Sequence, residues 1–269
     1  MHPRISVNSL CFPEAGWPDL ARHWRECGTR RASFLSPLLD AGVETVQQVL
    51  SEGGLKLETI THLFTSGQLG PREDDWAGER KLLSRVIDAA GMLRGNSVYM
   101  MCGGHGDLVW EEAAEHFAHA VAPCAEQASA AGVALLVEPA PPLYAEGHIA
   151  HSLRDTLALA EIAGLGVCID VYSCWFEADL KRTIERAMPR CHLVQISDYK
   201  YGDRAYPSRA IPGEGDIPLE RIVSWILEAG YTGNFDFELI GPRIAEAGYG
   251  EAVKRAGDYT SELLTRLGA

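Results

Sequence analysis

The sequence has few basic residues for its size. Its 269 residues include 24 Lys and Arg against 37 Asp and Glu, which gives a formal net charge of −13 at pH 7. Because clustered Lys and Arg side chains hold a phosphate backbone, this balance argues against nucleic acid as a partner. No apolar run approaches the roughly 18 residues that cross a bilayer, so we expect no membrane partner either.

The sequence also lacks the signals of an exported, disulfide-bonded protein. Its first residues, Met1 to Ser6, are not followed by an apolar stretch with a small-residue cleavage site. The seven cysteines form no CxxC pair, and their odd number does not suggest a disulfide framework. We therefore expect a cytoplasmic protein with reduced cysteines, and the sequence leaves homo-oligomerisation open.

Short apolar runs alternate with longer segments whose apolar residues recur every three or four positions, which is the pattern of strands followed by helices. The predicted strands are Ile5–Leu10, Arg31–Leu35, Leu57–Leu63, Ser97–Met101, Val133–Glu138, Val167–Val171, Leu193–Ser197 and Asn234–Leu239. The predicted helices are Trp17–Cys27, Val43–Ser51, Trp76–Met92, Glu111–Ala131, Ser152–Ala163, Ala178–Met188, Leu219–Ala229 and Ala252–Leu267. Eight such units in about 250 residues are typical of an α/β fold of the (β/α)₈ TIM-barrel type, with a single domain over residues 1–269.

The main alternative to the barrel is a doubly wound open sheet. Such a sheet often carries a GxGxxG turn after its first strand, where backbone amides bind phosphate. The segment after the first predicted strand here, Cys11 to Gly16, offers no such turn. The barrel is therefore favoured.

Polar residues end four consecutive predicted strands, from the fifth to the eighth. They are Glu138, Asp170, Gln195 and Glu238. Singly, each has an ordinary explanation as a turn, a helix cap or a solvated strand end, but barrel active sites lie at this end of the strands. Carboxylates buried together repel one another unless they are protonated or share a cation. Three carboxylates and an amide oxygen suit one hard divalent ion, Mn²⁺ or Mg²⁺, better than Co²⁺ or Zn²⁺.

Further candidates for substrate contacts lie in loops near the same predicted end of the barrel. His62 ends the third strand, and His105 stands in a Gly-Gly-His-Gly loop after the fourth. Either imidazole could polarise a substrate oxygen. Trp175 could form a flat wall for a ring, although packing is the commoner role of a single aromatic side chain.

Several segments together resemble the xylose-isomerase-like TIM barrels, also called the sugar phosphate isomerase/epimerase superfamily. The resemblance covers nearly the whole chain and is strongest in Leu135–Pro139, Val167–Asp170, Gln195–Tyr199, Arg209–Ile217 and Gly230–Glu238.

The resemblance implies roles for particular residues. It makes Glu138, Asp170, Gln195 and Glu238 the metal ligands. A Gln in place of the commoner His at the third position is similar to the hydroxypyruvate-isomerase-like branch. It also implies that Arg209 reaches the substrate, and Ser173 stands where the family often has a substrate-binding His.

The function implied by the resemblance is a divalent-metal-dependent isomerase or epimerase of a small sugar or other polyhydroxy carbonyl compound. In the family's ketose epimerases, two glutamates, here Glu138 and Glu238, remove and return a proton beside a carbonyl while the metal stabilises the enediolate. The first alternative is a metal-dependent dehydratase or lyase acting on a keto-inositol or keto-sugar by β-elimination. An abasic-site endonuclease is disfavoured by Gln195 and the acidic balance, and a barrel that only binds sugar is disfavoured by the two glutamates.

Overall fold

Eight parallel strands close into a barrel in the computed structural model, which describes residues 1–65, 70 and 73–269. The barrel strands are β1 (Ile5–Asn8), β2 (Arg31–Leu35), β3 (Lys56–Leu63), β4 (Ser97–Met101), β5 (Ala134–Val137), β6 (Gly166–Asp170), β7 (Cys191–Ile196) and β10 (Phe235–Phe237). Between the last two lies a short antiparallel pair, β8 (Asp198–Tyr199) and β9 (Arg209–Ala210). Pairing of β1 with both β2 and β10 closes the ring, and the expected single-domain (β/α)₈ barrel is confirmed.

Helices follow the strands and surround the barrel. They are α1 (Trp17–Glu26), α2 (Val43–Gly53), α3 (Glu73–Met92), α4 (Trp110–Ala131), α5 (Leu153–Ala163), α6 (Val171–Cys174), α7 (Leu180–Ala187), α8 (Leu219–Glu228), α9 (Pro242–Ala247) and α10 (Tyr249–Arg266). Their apolar faces pack on the strands, and Trp24, Phe117 and Ile226 are fully buried there. Burial of each such side chain contributes about 1.5–3 kcal/mol. Among the described residues, no helix is long and apolar enough to cross a membrane.

The predicted elements are all present, and their ends differ from the prediction by at most three residues. The first strand ends at Asn8 rather than Leu10, because the Asn8 side chain accepts the N–H of Leu10 and starts a 3₁₀ turn. The elements α6, α9, β8 and β9 were not predicted. Helix α6 begins directly at the end of β6, where Asp170 accepts the backbone N–H of Tyr172 as a helix cap.

A segment that we call the strap, residues 198–217, crosses the C-terminal end of the barrel and contains β8 and β9. The buried carboxylate of Asp198 fixes its course by accepting the backbone N–H groups of Tyr199, Gly213, Gly215 and Ile217, at 2.8 to 3.1 Å. Because Arg209 lies within the strap, this one carboxylate also determines where that guanidinium sits.

A substitution at Gly215 tests how strongly the strap depends on the close approach of its backbone to the Asp198 carboxylate. A Cβ atom at Gly215 would lie 2.1 Å from Asp198 Oδ1 and 2.5 Å from the Tyr199 carbonyl oxygen. We expect Gly215→Ala to lower the free energy of unfolding by roughly 2–3 kcal/mol, because the backbone must shift to relieve the overlap. Denaturant unfolding measures the loss.

The matched control is Gly250→Ala in α10, where an added Cβ meets nothing within 4 Å. Alanine is the better helix former, so this variant should be as stable as the wild type or slightly more so. Equal stability of the two variants would contradict the role assigned to the Asp198–Gly215 contact.

Candidate active site

A cavity of about 190 Å³ opens at the C-terminal end of the barrel. Its floor carries the ionisable side chains of Glu138, Asp170, Arg209 and Glu238. These groups come from the ends of β5, β6 and β10 and from the strap. The structure thus brings three predicted acidic residues and the predicted arginine to one place, as expected for polar groups at the C-terminal ends of barrel strands.

The wall above this floor is apolar and aromatic. Tyr144, from the loop after β5, and Tyr206, from the strap, both line the cavity and make an edge-to-face contact with ring centroids 4.3 Å apart. The other wall residues include Leu10, Leu35, Leu63, Met101 and Ile240. Two loops from separate parts of the chain therefore meet over the charged floor.

Strand register explains why Gln195 lies beside the acids. Gln195 pairs with Asp170 on β6 and with Asp236 on β10, so these three side chains share one layer of the barrel interior. Glu238 is two residues beyond Asp236 and therefore points to the same face, one layer nearer the cavity. Gln195 is fully buried beneath the floor and is not among the residues that line the cavity.

Asp170 has a complete set of hydrogen-bond donors. Its Oδ1 accepts the backbone N–H of Tyr172 at 3.1 Å and Nη1 of Arg209 at 3.2 Å. Its Oδ2 accepts the Ser173 hydroxyl at 2.6 Å and Nη2 of Arg209 at 3.0 Å. Each oxygen therefore has two donors, which matches its two lone pairs.

Arg209 joins two of the acids. Besides its two bonds to Asp170, Nη2 donates to Oε2 of Glu238 at 2.5 Å, and Nη1 donates to the Ser197 hydroxyl at 2.9 Å. The guanidinium carbon also lies 4.5 Å from the ring centroid of Tyr172, a cation–π contact. Burial lowers the pKa of Arg209, but the charges of Asp170 and Glu238 outweigh burial and raise that pKa, so the group is charged.

Glu138 and Gln195 differ from the other two candidates because no donor among the described residues contacts their side-chain oxygens. Both polar atoms of the Gln195 amide are buried without a hydrogen-bond partner among the described residues. Burial, reinforced by the negative charges of Glu238 and Asp170, raises the pKa of Glu138 well above its ordinary value. Burial also raises the pKa of Glu238, and Arg209 opposes that rise. Both shifts favour the protonated carboxyl groups, so ionisation of all the acids on this floor requires positive charge in addition to that of Arg209.

These four residues fit a hard divalent cation in charge and in donor type. When all three acids are ionised, they exceed the one guanidinium by two negative charges, which a divalent cation balances. The Gln195 amide oxygen is buried with no donor among the described residues. The arrangement is not a closed ligand shell as it stands. Within the part of the chain that the structure describes, no three His, Cys, Asp or Glu side chains are grouped to hold a metal ion, and Arg209 contacts two of the acids.

His148 contacts the backbone of Glu138 and was not predicted as a functional residue. The fully buried ring contacts the carbonyl oxygen of Glu138 through Nε2 at 2.8 Å and accepts the N–H of Cys102 through Nδ1 at 3.1 Å. Burial lowers the pKa of His148 to about 4, in agreement with a neutral ring that donates at Nε2. No local pattern marks this residue, because its partners are 10 and 46 positions away.

The structure places three predicted substrate-binding residues away from the cavity lining. His62 points to the outer face of β3, because its neighbour Thr61 faces the interior and hydrogen-bonds Asn8. Its ring contacts the Ser36 hydroxyl at 2.9 Å in a separate groove. His105 is exposed, and Trp175 packs beside Tyr199 and Tyr201. Of the predicted contacts, Ser173 and Arg209 line the cavity, and the Ser173 hydroxyl donates to Asp170.

A family model described as the xylose isomerase-like TIM barrel matches residues 13–259. This match covers most of the chain, including the strand ends that form the cavity floor. The chain therefore belongs to the xylose isomerase-like TIM-barrel family.

Individual relatives include a sugar isomerase and a sugar epimerase. Inosose isomerase from Halalkalibacterium halodurans is 32% identical over 75 residues, so the match spans 28% of this chain and 27% of that relative. The structure of an L-ribulose 3-epimerase covers 100% of this chain and 96% of its own, with a TM-score of 0.82 and 20% identity. The IolI protein with a bound zinc atom covers 98% of both chains, with a TM-score of 0.82 and 14% identity. The two structural matches show the shared fold, and the family is one of enzymes.

The buried ring of His62 gives a prediction about the pH dependence of stability. Burial lowers the pKa of His62 to about 4, while in the unfolded chain it is near 6.5. Between these two values the unfolded state binds the extra proton, so this histidine makes the fold less stable as the pH falls through that window. Between pH 7 and 4.5, the free energy of unfolding of wild type should fall by roughly 2 kcal/mol more than that of His62→Gln.

Denaturant unfolding of both proteins at several pH values measures this difference. The carboxylates and His148 titrate in both proteins, so their contributions cancel when the pH dependence of the free energy of unfolding is compared between the two. Parallel pH profiles would show that His62 is not held neutral by burial.

Proposed function

We propose that this protein is a divalent-metal-dependent isomerase or epimerase of a small sugar or other polyhydroxy carbonyl compound. The proposed catalytic groups are Glu138 and Glu238, and the proposed metal ligands are Glu138, Asp170, Gln195 and Glu238. Mn²⁺ or Mg²⁺ is the preferred ion on the chemistry of these oxygen donors. The proposed partner is a small-molecule carbohydrate substrate, and the proposed location is the cytoplasm.

The observation that carries this proposal is the excess of acid on the cavity floor. Glu138, Asp170 and Glu238 share one desolvated site in which, among the described residues, Arg209 is the one basic side chain. Burying unneutralised carboxylates is costly, so an arrangement of this kind is expected where a cation binds or a proton is transferred. Membership of a family that includes sugar isomerases supports the same reading.

The two glutamates are suited to proton transfer because both line the cavity. One carboxylate takes the proton from the carbon next to the substrate carbonyl. The C–H electron pair becomes a C=C bond while the carbonyl π pair moves to oxygen, and a protonated glutamate returns a proton to one of the two carbons. Return to the opposite face of the same carbon inverts that carbon. Return to the neighbouring carbon moves the carbonyl, provided that the hydroxyl proton of the first carbon passes to the former carbonyl oxygen.

Other residues of the site orient these groups. His148 holds the backbone of Glu138, and Tyr99 donates its hydroxyl to Oε1 of Glu238 at 3.4 Å. Bound among the four ligands, a divalent cation would supply positive charge beside two adjacent substrate oxygens, where negative charge develops as the proton leaves.

Substitution of the two glutamates tests the acid-base assignment. Glu138→Gln and Glu238→Gln each keep an oxygen near the metal but remove a base, so turnover of a responsive ketose should fall about 10²–10⁴-fold while metal content is largely kept. Turnover is followed by NMR in D₂O at saturating Mn²⁺, together with deuterium entry beside the carbonyl. If both variants keep wild-type turnover with metal bound, neither glutamate moves the proton.

The matched control for these variants is Glu146→Gln, an exposed carboxylate in the same loop after β5. It should leave turnover unchanged. The mass of the product separates the reaction classes, because isomerisation conserves mass whereas loss of water would identify a dehydratase instead.

Gln195 gives a separate test of the metal site. Gln195→His replaces an amide oxygen by an imidazole nitrogen, which is the softer donor. We expect the variant to bind Zn²⁺ and Co²⁺ more tightly relative to Mg²⁺ and Mn²⁺ than the wild type does. Calorimetry measures the affinities of both proteins for the four ions. If the relative affinities are the same in Gln195→His and in the wild type, Gln195 is not a ligand.

A further inference from the structure

Arg209 has no free terminal donor in this structure. Its four Nη hydrogens are matched by four acceptors, which are the two oxygens of Asp170, Oε2 of Glu238 and the Ser197 hydroxyl. The side chain is only 9% exposed. An Nη group can therefore reach a substrate oxygen only after it leaves one of these acceptors.

The carboxylate oxygens of Asp170 are also fully occupied by hydrogen-bond donors. Two of its four donors belong to Arg209, and the other two are the backbone N–H of Tyr172 and the Ser173 hydroxyl. The Tyr172 N–H is held in place because Asp170 caps α6 through it. Ser173 is fully buried, and its hydroxyl lies 2.6 Å from Oδ2 of Asp170. A cation that binds Asp170 must displace a donor, and a cation repels Arg209 while it attracts the oxygens that Arg209 holds.

We propose that Arg209 is an internal counter-cation that competes with the divalent metal for Asp170 and Glu238. In the metal-free protein the guanidinium occupies these oxygens and stabilises the buried acids. When the metal takes the oxygens, Nη groups of Arg209 are released toward the cavity, which Arg209 already lines, and can donate to substrate oxygens. This proposal rests on the metal site of the proposed function.

Competition of this kind has a measurable consequence for metal affinity. The wild type must break the Arg209 contacts in order to bind metal, whereas a variant without the guanidinium does not. Arg209→Gln should therefore bind Mn²⁺ and Zn²⁺ about tenfold more tightly or better, within the usual range of coupling between sites. Arg209→Lys keeps the charge but cannot form the two-pronged contact with Asp170. Its metal affinity should therefore lie between that of the wild type and that of Arg209→Gln.

The experiment is calorimetric titration of metal-stripped full-length protein with each ion. The control is Arg204→Gln, an exposed arginine in the same strap whose guanidinium contacts Tyr199 and the Asp203 carbonyl rather than the acids. Its metal affinity should equal that of the wild type. Equal or weaker binding by Arg209→Gln, in a wild type that does bind metal, overturns the competition alone. Failure of every variant and of the wild type to bind either ion overturns the metal site as well.

A second measurement needs no folded Arg209→Gln protein. Guanidinium protons held on buried carboxylates exchange slowly with water, so metal-free wild type should show protected arginine Nη–H signals in ¹⁵N NMR. Arg209→Lys identifies them by their absence. Saturation with diamagnetic Zn²⁺ should remove or strongly shift these signals. Unchanged signals in fully zinc-bound protein would show that Arg209 keeps both carboxylates, and the proposal would be overturned.

Discussion

The two-pronged contact between Arg209 and Asp170, extended to Glu238, is the interaction on which the site depends. A barrel interior has little water to solvate charges, so a carboxylate buried there needs hydrogen-bond donors or a cation close by. The strap supplies the arginine, and Asp198 holds the strap with four backbone hydrogen bonds. Folding of a 20-residue connection is thus coupled to the charge balance at the end of the barrel.

Another buried acid, Asp236, lies in the same layer as Asp170 and Gln195 and is stabilised differently. Asp236 accepts hydroxyl hydrogens from Ser6 and Ser33 and an amide hydrogen from Asn8. Burial raises its pKa to about 7. Gln195 therefore lies between two acids of its own layer, Asp236 with neutral donors on one side and Asp170 with the Arg209 guanidinium on the other.

Most of the fold could be predicted from the sequence because the hydrophobic periodicity of strands and helices is a local property. The polar strand ends identified the acids of the floor for the same reason. The sequence did not reveal that Arg209 holds Asp170, since 39 residues separate them and the course of the strap decides their contact. His62 was assigned to the active face from its position at a strand end. That position does not specify the face, and Thr61 occupies the inner one.

The contact between Tyr144 and Tyr206 belongs to a part of the cavity whose residues are independent of the reactive groups on the floor. The two aromatic rings of the cavity lining come from two loops, whereas the ionisable groups belong to strand ends and to Arg209. Changes in the two loops can therefore alter which molecules enter without altering the reactive groups. A barrel built in this way can acquire new substrates by variation at its rim while its chemistry is inherited unchanged.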